Sequence, residues 1–238
     1  EDLVGIMQVY YDCTGETYTN LYVSKSTFSY QLSVHGGVSY NQLSFATNPR
    51  ADALVQPDYL PDLAFDSDWQ PTIGAEIEFY RVQSVRWWTV VLGAYYHRTQ
   101  FDGASLIDFR DNRYRYEFQS TFSTLHIPAG IRVYKKLGDR TFFAEAGPYV
   151  QWFLAHDVQI GHERIQSNEV FVFENFPDAE ERTGFGFWLS VGTRGTLFDD
   201  KTFSAKIRAT YQPDYVARHF IYNDSRQFSL WATLGWAF

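Results

Sequence analysis

The sequence lacks the features that assign many proteins to a class at first sight. Cysteine occurs once among 238 residues, at Cys13, so an internal disulfide cannot form. No apolar run approaches the roughly 18 residues of a membrane-spanning helix. Basic residues are outnumbered, with 20 Lys and Arg against 28 Asp and Glu, and the formal net charge is −8. This balance argues against nucleic acid as a partner, because nucleic-acid-binding proteins usually present a basic face.

The chain is rich instead in aromatic residues. It contains 21 Phe, 17 Tyr and 7 Trp, which together make 19% of the residues. Its mean hydropathy is nevertheless slightly negative, as in a soluble protein. A transmembrane β-barrel can combine these properties, since only every second residue of a strand faces lipid and aromatic residues gather at the two membrane interfaces.

Apolar and polar residues alternate with a period of two in eight segments, which is the pattern of β-strands. The segments are 27–39, 71–82, 87–99, 118–135, 141–156, 183–198, 202–212 and 228–238. One face of these segments is apolar and aromatic throughout, whereas the other carries charges at mid-strand positions. The charged residues are Glu76, Glu78, Arg132, Glu145, Arg194, Lys206 and Arg208.

The bulk of the apolar face decides which face points inward. Phe, Trp and Leu side chains from eight strands would overfill a barrel whose interior is only just wide enough for side chains. Turned outward, they would face lipid. The sequence therefore predicts an all-β fold, an eight-stranded antiparallel up-and-down transmembrane β-barrel over residues 26–238.

The connections between the predicted strands alternate between short and long. The short ones lie near 83–86, 137–140 and 199–201, and the long ones at about 41–68, 100–117, 157–182 and 213–226. Bacterial outer-membrane barrels show this asymmetry, with short periplasmic turns and longer external loops. We therefore expect an outer-membrane location with both termini periplasmic. Residues 1–25 form the N-terminal periplasmic segment, in which apolar residues at helical spacing predict a short amphipathic helix over 3–10.

Aromatic residues cluster near both sets of connections. Beside the short turns and at the C-terminus are Tyr80, Trp87, Trp88, Tyr134, Phe142, Phe198, Phe203, Trp236 and Phe238. Near the long links are Tyr40, Trp69, Tyr96, Trp152, Tyr211 and Phe228. A general preference of aromatic residues for strands is the alternative explanation. The clustering at both rims favours two interfacial girdles.

Three short stretches give the sequence a family resemblance. They are the residues Leu-His-Ile-Pro at 125–128, Ala-Gly-Pro-Tyr at 146–149 and Leu-Gly-Trp-Ala-Phe at 234–238. With these pieces in this order, residues 28–238 resemble the PorT-like outer-membrane β-barrel family of the Bacteroidota. Trp236 and Phe238 are similar to the aromatic C-terminal signal that the barrel-assembly machinery reads, which implies that machinery as a partner during biogenesis. The resemblance also implies that such barrels tolerate Pro128 and Pro148 in central strands, at a bulge.

The interior charges allow two interpretations. Buried charges must pair or coordinate a ligand, so the set predicts either a salt-bridge network that plugs the barrel or a polar conduit or proton path. Eight strands leave little room for water, which favours the plug.

Catalysis finds little support in the sequence. Only His126 with Ser123 or Ser190 combines a base with a nucleophile. His35 and His97 are predicted lumen residues, and no cofactor or metal site is predicted. The remaining candidates for a metal, His156 and His162 with Glu163, lie in a predicted loop.

The long first and third links point to contacts with other molecules, since loops of this length are usually functional or disordered. Both are acidic, through Asp52, Asp58, Asp62, Asp66 and Asp68 in the first and Glu163, Glu169, Glu174, Asp178, Glu180 and Glu181 in the third. Residues 170–173, Val-Phe-Val-Phe, form either a strand that extends the wall or a contact patch.

The function that best fits these observations is that of a non-enzymatic subunit. We predict an accessory or structural component of a larger outer-membrane assembly of the secretion, transport or barrel-assembly type. It would act through its loops and N-terminal segment, with outer-membrane lipid and other outer-membrane proteins as partners. A small outer-membrane enzyme or a passive pore is the alternative.

Overall fold

The computed structural model describes residues 28–47, 63–81, 87–109, 112–138, 140–164, 169–174, 183–197, 201–213 and 223–238. Ten strands lie within these ranges. They are β1 (Phe28–Thr47), β2 (Leu63–Asp66), β3 (Gln70–Arg81), β4 (Trp88–Phe109), β5 (Asn112–Leu137), β6 (Arg140–Arg164), β7 (Glu169–Glu174), β8 (Thr183–Leu197), β9 (Lys201–Pro213) and β10 (Asn223–Ala237). None of the described residues belongs to a helix long and apolar enough to cross a bilayer. The helix predicted over 3–10 lies outside the described residues.

Eight of the strands close into a ring. The order is β10-β9-β8-β6-β5-β4-β3-β1, every pair is antiparallel, and β10 pairs with β1 to close the sheet. Consecutive wall strands are neighbours, which is the up-and-down topology. The predicted eight-stranded antiparallel transmembrane barrel is therefore confirmed.

The two short strands continue wall strands beyond the ring. β2 pairs with Gln42–Phe45 of β1, next to the stretch of β1 that pairs with β3. β7 pairs with Gln159–Arg164 of β6. It uses the same edge of β6 that pairs with β8 nearer the short turns, because β5 occupies the other edge. The prediction that residues 170–173 form a strand extending the wall is thus confirmed.

The register around the ring determines how wide the barrel is. Starting at Tyr30, the pairings lead through Phe79, Val90, Ile131, Ala146, Leu189, Ala209 and Leu230 to Tyr40. One circuit therefore displaces the register by ten residues along β1, from Tyr30 to Tyr40. Strand number and register displacement together set the diameter, and eight strands enclose a space that side chains can fill.

The polarity of the barrel is inverted relative to a soluble protein. Large apolar side chains face outward, with Tyr30 73%, Ile73 60% and Phe185 68% exposed. Buried positions alternate with them and are largely polar, from Ser33 and His35 on β1 to Ser229 and Thr233 on β10. This is the arrangement predicted from the two faces, and it places the outer wall in lipid.

Inward glycines make room for large lumen side chains. A Cβ built on Gly74 would lie 2.3 Å from the ring of Tyr95, and one on Gly235 would lie 2.4 Å from the ring of His35. Gly36, which faces outward, meets nothing within 4 Å. The Tyr95 and His35 rings therefore lie directly against the barrel wall.

The strands are longer than the sequence pattern predicted. The link predicted at 100–117 is a paired hairpin, in which β4 runs to Phe109 and β5 begins at Asn112. Much of the links predicted at 41–68 and 157–182 is likewise strand, since β1 reaches Thr47 and β6 reaches Arg164. The prediction of a long loop at 100–117 is therefore wrong, and the ends of the other two links are paired. Outside a bilayer both faces of a strand can be polar, so pairing continues where the alternation of polarity ends.

Both prolines lie within central strands but not at a bulge. The ladder between β5 and β6 is interrupted after the Pro128–Tyr149 pair and resumes at Ile131 and Ala146 in the same register. The irregularity in register lies elsewhere, between Ser123 and Thr124. The expected bulge at Pro128 and Pro148 is therefore wrong. The missing donor of Pro148 falls at this gap, and that of Pro128 falls at a second gap, between the Leu92–Ala129 and Tyr95–His126 pairs of β4 and β5.

Most members of the two predicted girdles that the structure describes face outward. Trp87, Trp88 and Phe238 are exposed near the short turns, and Trp69 and Trp152 near the opposite end. Tyr134 was assigned to the wrong face, because its hydroxyl donates to Glu78 in the lumen. Phe198 lies outside the described residues.

Candidate functional site

The seven predicted lumen residues come from five strands and meet in one cluster. Glu76 and Glu78 are on β3, Arg132 on β5, Glu145 on β6, Arg194 on β8, and Lys206 and Arg208 on β9. All except Arg194 are buried. Because each faces the barrel axis, charges that are far apart in sequence come within direct contact.

Arg132 is the hub of the cluster and contacts all three carboxylates. Its Nε donates to Glu145 Oε1 at 2.5 Å, its Nη1 to Glu78 Oε2 at 2.7 Å, and its Nη2 to Glu76 Oε2 at 2.9 Å. Arg132 and Glu145 are also direct register partners on β5 and β6. A guanidinium group can do this because its five N–H donors point in fixed, divergent directions.

Glu76 receives the largest number of donors. Its Oε1 accepts from Arg208 Nη2 at 2.7 Å, from the Tyr95 hydroxyl at 2.6 Å and from Lys206 Nζ. Its Oε2 lies 3.4 Å from His35 Nε2. Donors from β4, β5 and β9 thus converge on one carboxylate, which ties together opposite parts of the wall.

The other two carboxylates complete the network. Glu78 accepts from Arg194 Nη2 at 2.7 Å and from the Tyr134 hydroxyl. Glu145 Oε2 accepts from Ser190 Oγ at 2.6 Å and lies 3.7 Å from Arg208 Nη2. Each of the three carboxylates therefore has at least one charged partner and one neutral partner. A buried ion needs such partners, because it has lost its contacts with water.

Four neutral members of the network were not assigned to it from the sequence. They are His35, Tyr95, Tyr134 and Ser190. Tyr134 and Ser190 stand at the alternation positions of Arg132 and Arg194, so the period of two could have placed them in the lumen, as it placed His35. β4, which carries Tyr95, has none of the seven charged residues. The pattern does not reveal which of them donates to which carboxylate.

Aromatic rings surround the cations of the network. The Arg208 guanidinium lies 4.7 Å from the ring centre of Tyr95 and 4.5 Å from that of Trp188, and the Arg132 guanidinium lies 4.8 Å from that of Phe143. Such contacts stabilise a desolvated cation. They matter here because the described lumen charges comprise four cations and three carboxylates, so one positive charge is in excess.

A layer of histidine and tryptophan rings lies next to the ion cluster, on the side away from the short turns. The ring centre of Trp231 is 4.7 Å from that of His97 and 5.2 Å from that of His126. Both nitrogens of His126 and the Trp231 Nε1 have no hydrogen-bond partner among the described protein atoms. Buried polar atoms of this kind are usually satisfied by internal water.

The structure does not assemble the one nucleophile–base combination considered from the sequence. Ser190 donates to Glu145, and Ser123 stands at an outward position between the buried Phe122 and Thr124. His156 is exposed. No group of three or more His, Cys, Asp or Glu side chains able to hold a metal occurs in the described part of the chain.

The side chains of the network are buried in the lumen. The side chains of Glu76, Glu145 and Lys206 are at most 1% exposed, and those of Arg132 and Arg208 at most 3%. Residues that line a water-filled channel would be accessible to solvent. The arrangement is therefore a packed plug of ion pairs across the middle of the barrel.

Trp236 and Phe238, the predicted assembly signal, stand apart from this cluster. Both face outward near the end of β10, and their ring centres are 6.3 Å apart. The Phe238 amide donates to the Leu32 carbonyl at 2.9 Å, next to the closing pair of strands. Recognition by the barrel-assembly machinery remains a prediction.

Comparison with known proteins finds likeness in structure only. No protein-family model matches the chain, and no curated protein matches it. The resemblance to the PorT-like family therefore remains a prediction.

Several solved structures of small barrels are similar to this chain. Outer membrane protein OprG from Pseudomonas aeruginosa is 14% identical with a TM-score of 0.47, over 90% of this chain and 98% of that one. Neisserial surface protein A (NspA) is 9% identical with a TM-score of 0.41, over 89% and 99%. Ail, the attachment invasion locus protein of Yersinia pestis, in complex with the heparin analogue sucrose octasulfate, is 10% identical with a TM-score of 0.38, over 87% and 99%.

Proposed function

We propose that the chain is a non-enzymatic integral protein of a bacterial outer membrane and acts as an accessory or structural subunit of a larger assembly. The observation that carries this proposal is the closed lumen. A barrel plugged by buried ion pairs offers no route for a solute, so its function must reside on its surfaces. The end with the short turns, near Phe28 and Phe238, is then periplasmic.

The surface best suited to contacts is the sheet that projects beyond the membrane. β5 has 26 residues and β6 has 25, whereas about 9–11 residues cross a bilayer. With about 3.3 Å per residue, β5 is about 85 Å long along its path. β4, β5, β6 and β7 thus form a four-stranded extension at the end opposite the short turns.

The extension carries charged side chains and is open to solvent. Asp102, Arg115 and Glu117 are exposed, and Arg115 Nη2 lies 2.9 Å from Glu117 Oε1 in an ion pair whose side chains are 50% and 56% exposed. An exposed pair of this kind contributes little to stability. A sheet with exposed charges at the cell surface fits recognition of another protein better than it fits support of the barrel.

The proposal is tested by shortening the β4–β5 hairpin. Ala104 and Glu117 are register partners, so residues 105–116 can be replaced by an Asn-Gly turn that joins the two strands directly. We expect the shortened protein to fold and insert, as judged by heat-dependent migration in electrophoresis. We also expect it to lose partner proteins that co-purify with the full chain in mild detergent.

A matched control removes charge without shortening the hairpin, as Arg115→Gln with Glu117→Gln. This variant retains the sheet and tests whether its shape or its ion pair matters. A full chain that purifies alone under cross-linking conditions would contradict the role as a subunit.

A further inference from the structure

The outer wall contains a shallow apolar groove of about 870 Å³. It crosses β5, β6, β8, β9, β10 and β1 between two neighbouring rows of outward side chains. One row follows the register from Lys135 to Gly36, and the other from Val133 to Val38. The exposure of Val133, Phe142 and Leu234, at 41%, 43% and 69%, places the groove on the lipid side of the wall.

Small residues create the groove. Gly36, Ala144, Ala205 and Ala232 stand at outward positions where other parts of the wall carry Leu, Ile, Phe or Trp. Bulky side chains such as Phe142 and Leu234 stand beside them. The wall therefore has a continuous depression rather than isolated gaps between side chains.

The dimensions of the groove match one half of a bilayer. Neighbouring strands are about 4.8 Å apart, so the five steps from β5 to β1 span about 24 Å. With strands tilted by about 40°, the groove rises about 15 Å, which is half of the roughly 30 Å hydrocarbon core. It begins three residues before the turn at Gly138 and ends far up on β1. An acyl chain that lies in the groove would run obliquely from the interface to the middle of the bilayer.

The lower end of the groove is basic. Lys135 lines it and is exposed, and its register partner is Phe142. Arg140 lies two residues before Phe142 on the same outward face and is also exposed. Diagonal neighbours of this kind are about 7–8 Å apart, a spacing that lets both side chains reach one phosphate. Lys136 adds a third base, and with Asp139 residues 135–140 have a net charge of +2.

We propose that this groove binds one acyl chain of an anionic glycerophospholipid from the leaflet on the side of the short turns, with the lipid phosphate between Lys135 and Arg140. The proposal rests on the proposed membrane location. Charge complementarity at the mouth and the apolar groove above it select a phospholipid whose head group carries net negative charge.

Spin-labelled lipids test the proposal. The full chain is reconstituted in phosphatidylcholine vesicles that contain a trace of spin-labelled phosphatidylglycerol or spin-labelled phosphatidylcholine. We expect a larger motionally restricted fraction for phosphatidylglycerol. Removal of one base should weaken the preference about fivefold, so Lys135→Gln with Arg140→Gln should abolish it. Ala205→Leu with Ala232→Leu should fill the groove and lower the restricted fraction of both lipids.

Two controls keep the outcome interpretable. Arg98→Gln removes an exposed base far from the groove, and Ala94→Leu adds bulk at an outward position on β4; neither should change the spectra. Equal restriction of both lipids by a folded, inserted barrel, or variants that match these controls, would overturn the groove site alone. Failure of the wild-type chain to insert into vesicles would instead overturn the proposed membrane location, and the groove site with it.

Discussion

At the scale of single residues, the lumen depends on a few side chains with many partners. Arg132 donates to three carboxylates, and Glu76 accepts from donors on three strands. Replacing a buried ion pair by apolar groups can be neutral, but removing one partner leaves an uncompensated charge. The network is therefore more sensitive to single substitutions than to matched pairs of substitutions.

A double-mutant cycle measures this sensitivity. Arg132→Met should destabilise the barrel by about 3–5 kcal/mol, because it leaves buried carboxylates without their shared partner. Arg132→Met combined with Glu145→Gln should cost less than the sum of the single changes. The measurement is urea unfolding in detergent or lipid.

The exposed pair Arg115 and Glu117 provides the reference cycle, for which the coupling should be about 0–1 kcal/mol. A coupling near zero for Arg132 and Glu145 as well would show that their contact contributes nothing to stability.

The composition of the network could be predicted from the sequence, whereas its connections could not. Alternation places Glu76, Glu78 and the other charged residues on one face, and Arg132 and Glu145 are five residues from the ends of the short link at 137–140. The contact of Glu76 with Lys206 joins β3 to β9, which are not neighbours in the wall. Such contacts across the lumen depend on barrel diameter and register, neither of which is encoded in the pattern of any one strand.

At the scale of elements, the membrane-spanning parts of the strands were predictable and their extensions were not. Within the bilayer, lipid enforces apolar residues at every second position, as in Ile131 and Val133 of β5. Outside the bilayer, polar side chains can stand on both faces of a strand. The sequence pattern around Asp102 and Gln119 therefore predicts a loop, although the two residues are paired in a hairpin. Outside the membrane, strands stay paired because they continue from strands that are already paired in the barrel wall.

The connections at the two ends should differ in their access to protease. If the short turns are periplasmic, a protease added to intact cells should cut only in the links at the opposite end, within 48–62, 165–168, 175–182 or 214–222, or at the hairpin tip at 110–111. Opening the outer membrane should make 82–86, 138–139 and 198–200 accessible. Cleavage at 138–139 in intact cells would reverse the orientation.

At the scale of the whole molecule, β10 pairs with β1 to complete the wall, and buried ion pairs of the described residues lie across the lumen. The purified chain in a planar bilayer should therefore show little or no steady current. The variant with Arg132→Met and Glu145→Gln should also conduct little or no current. Apolar packing would replace the ion pair, and the layer of histidine and tryptophan rings lies beside it. Large, regular, voltage-stable channels in the wild type would contradict the plug.

The pairing of β10 with β1 also affects the order in which the chain can fold. Tyr40 and Leu230 are register partners although 190 residues separate them, so this seam brings together the first and the last wall strand. Every other seam of the wall joins strands that follow one another along the chain. During folding, the other seams can give an open, curved sheet with two unsatisfied edges, but this seam forms only when residues 223–237 reach β1. Closure is thus the step with the greatest loss of chain entropy. Until it occurs, the unpaired backbone of β1 must be shielded from other chains, since an open edge is a template for aggregation.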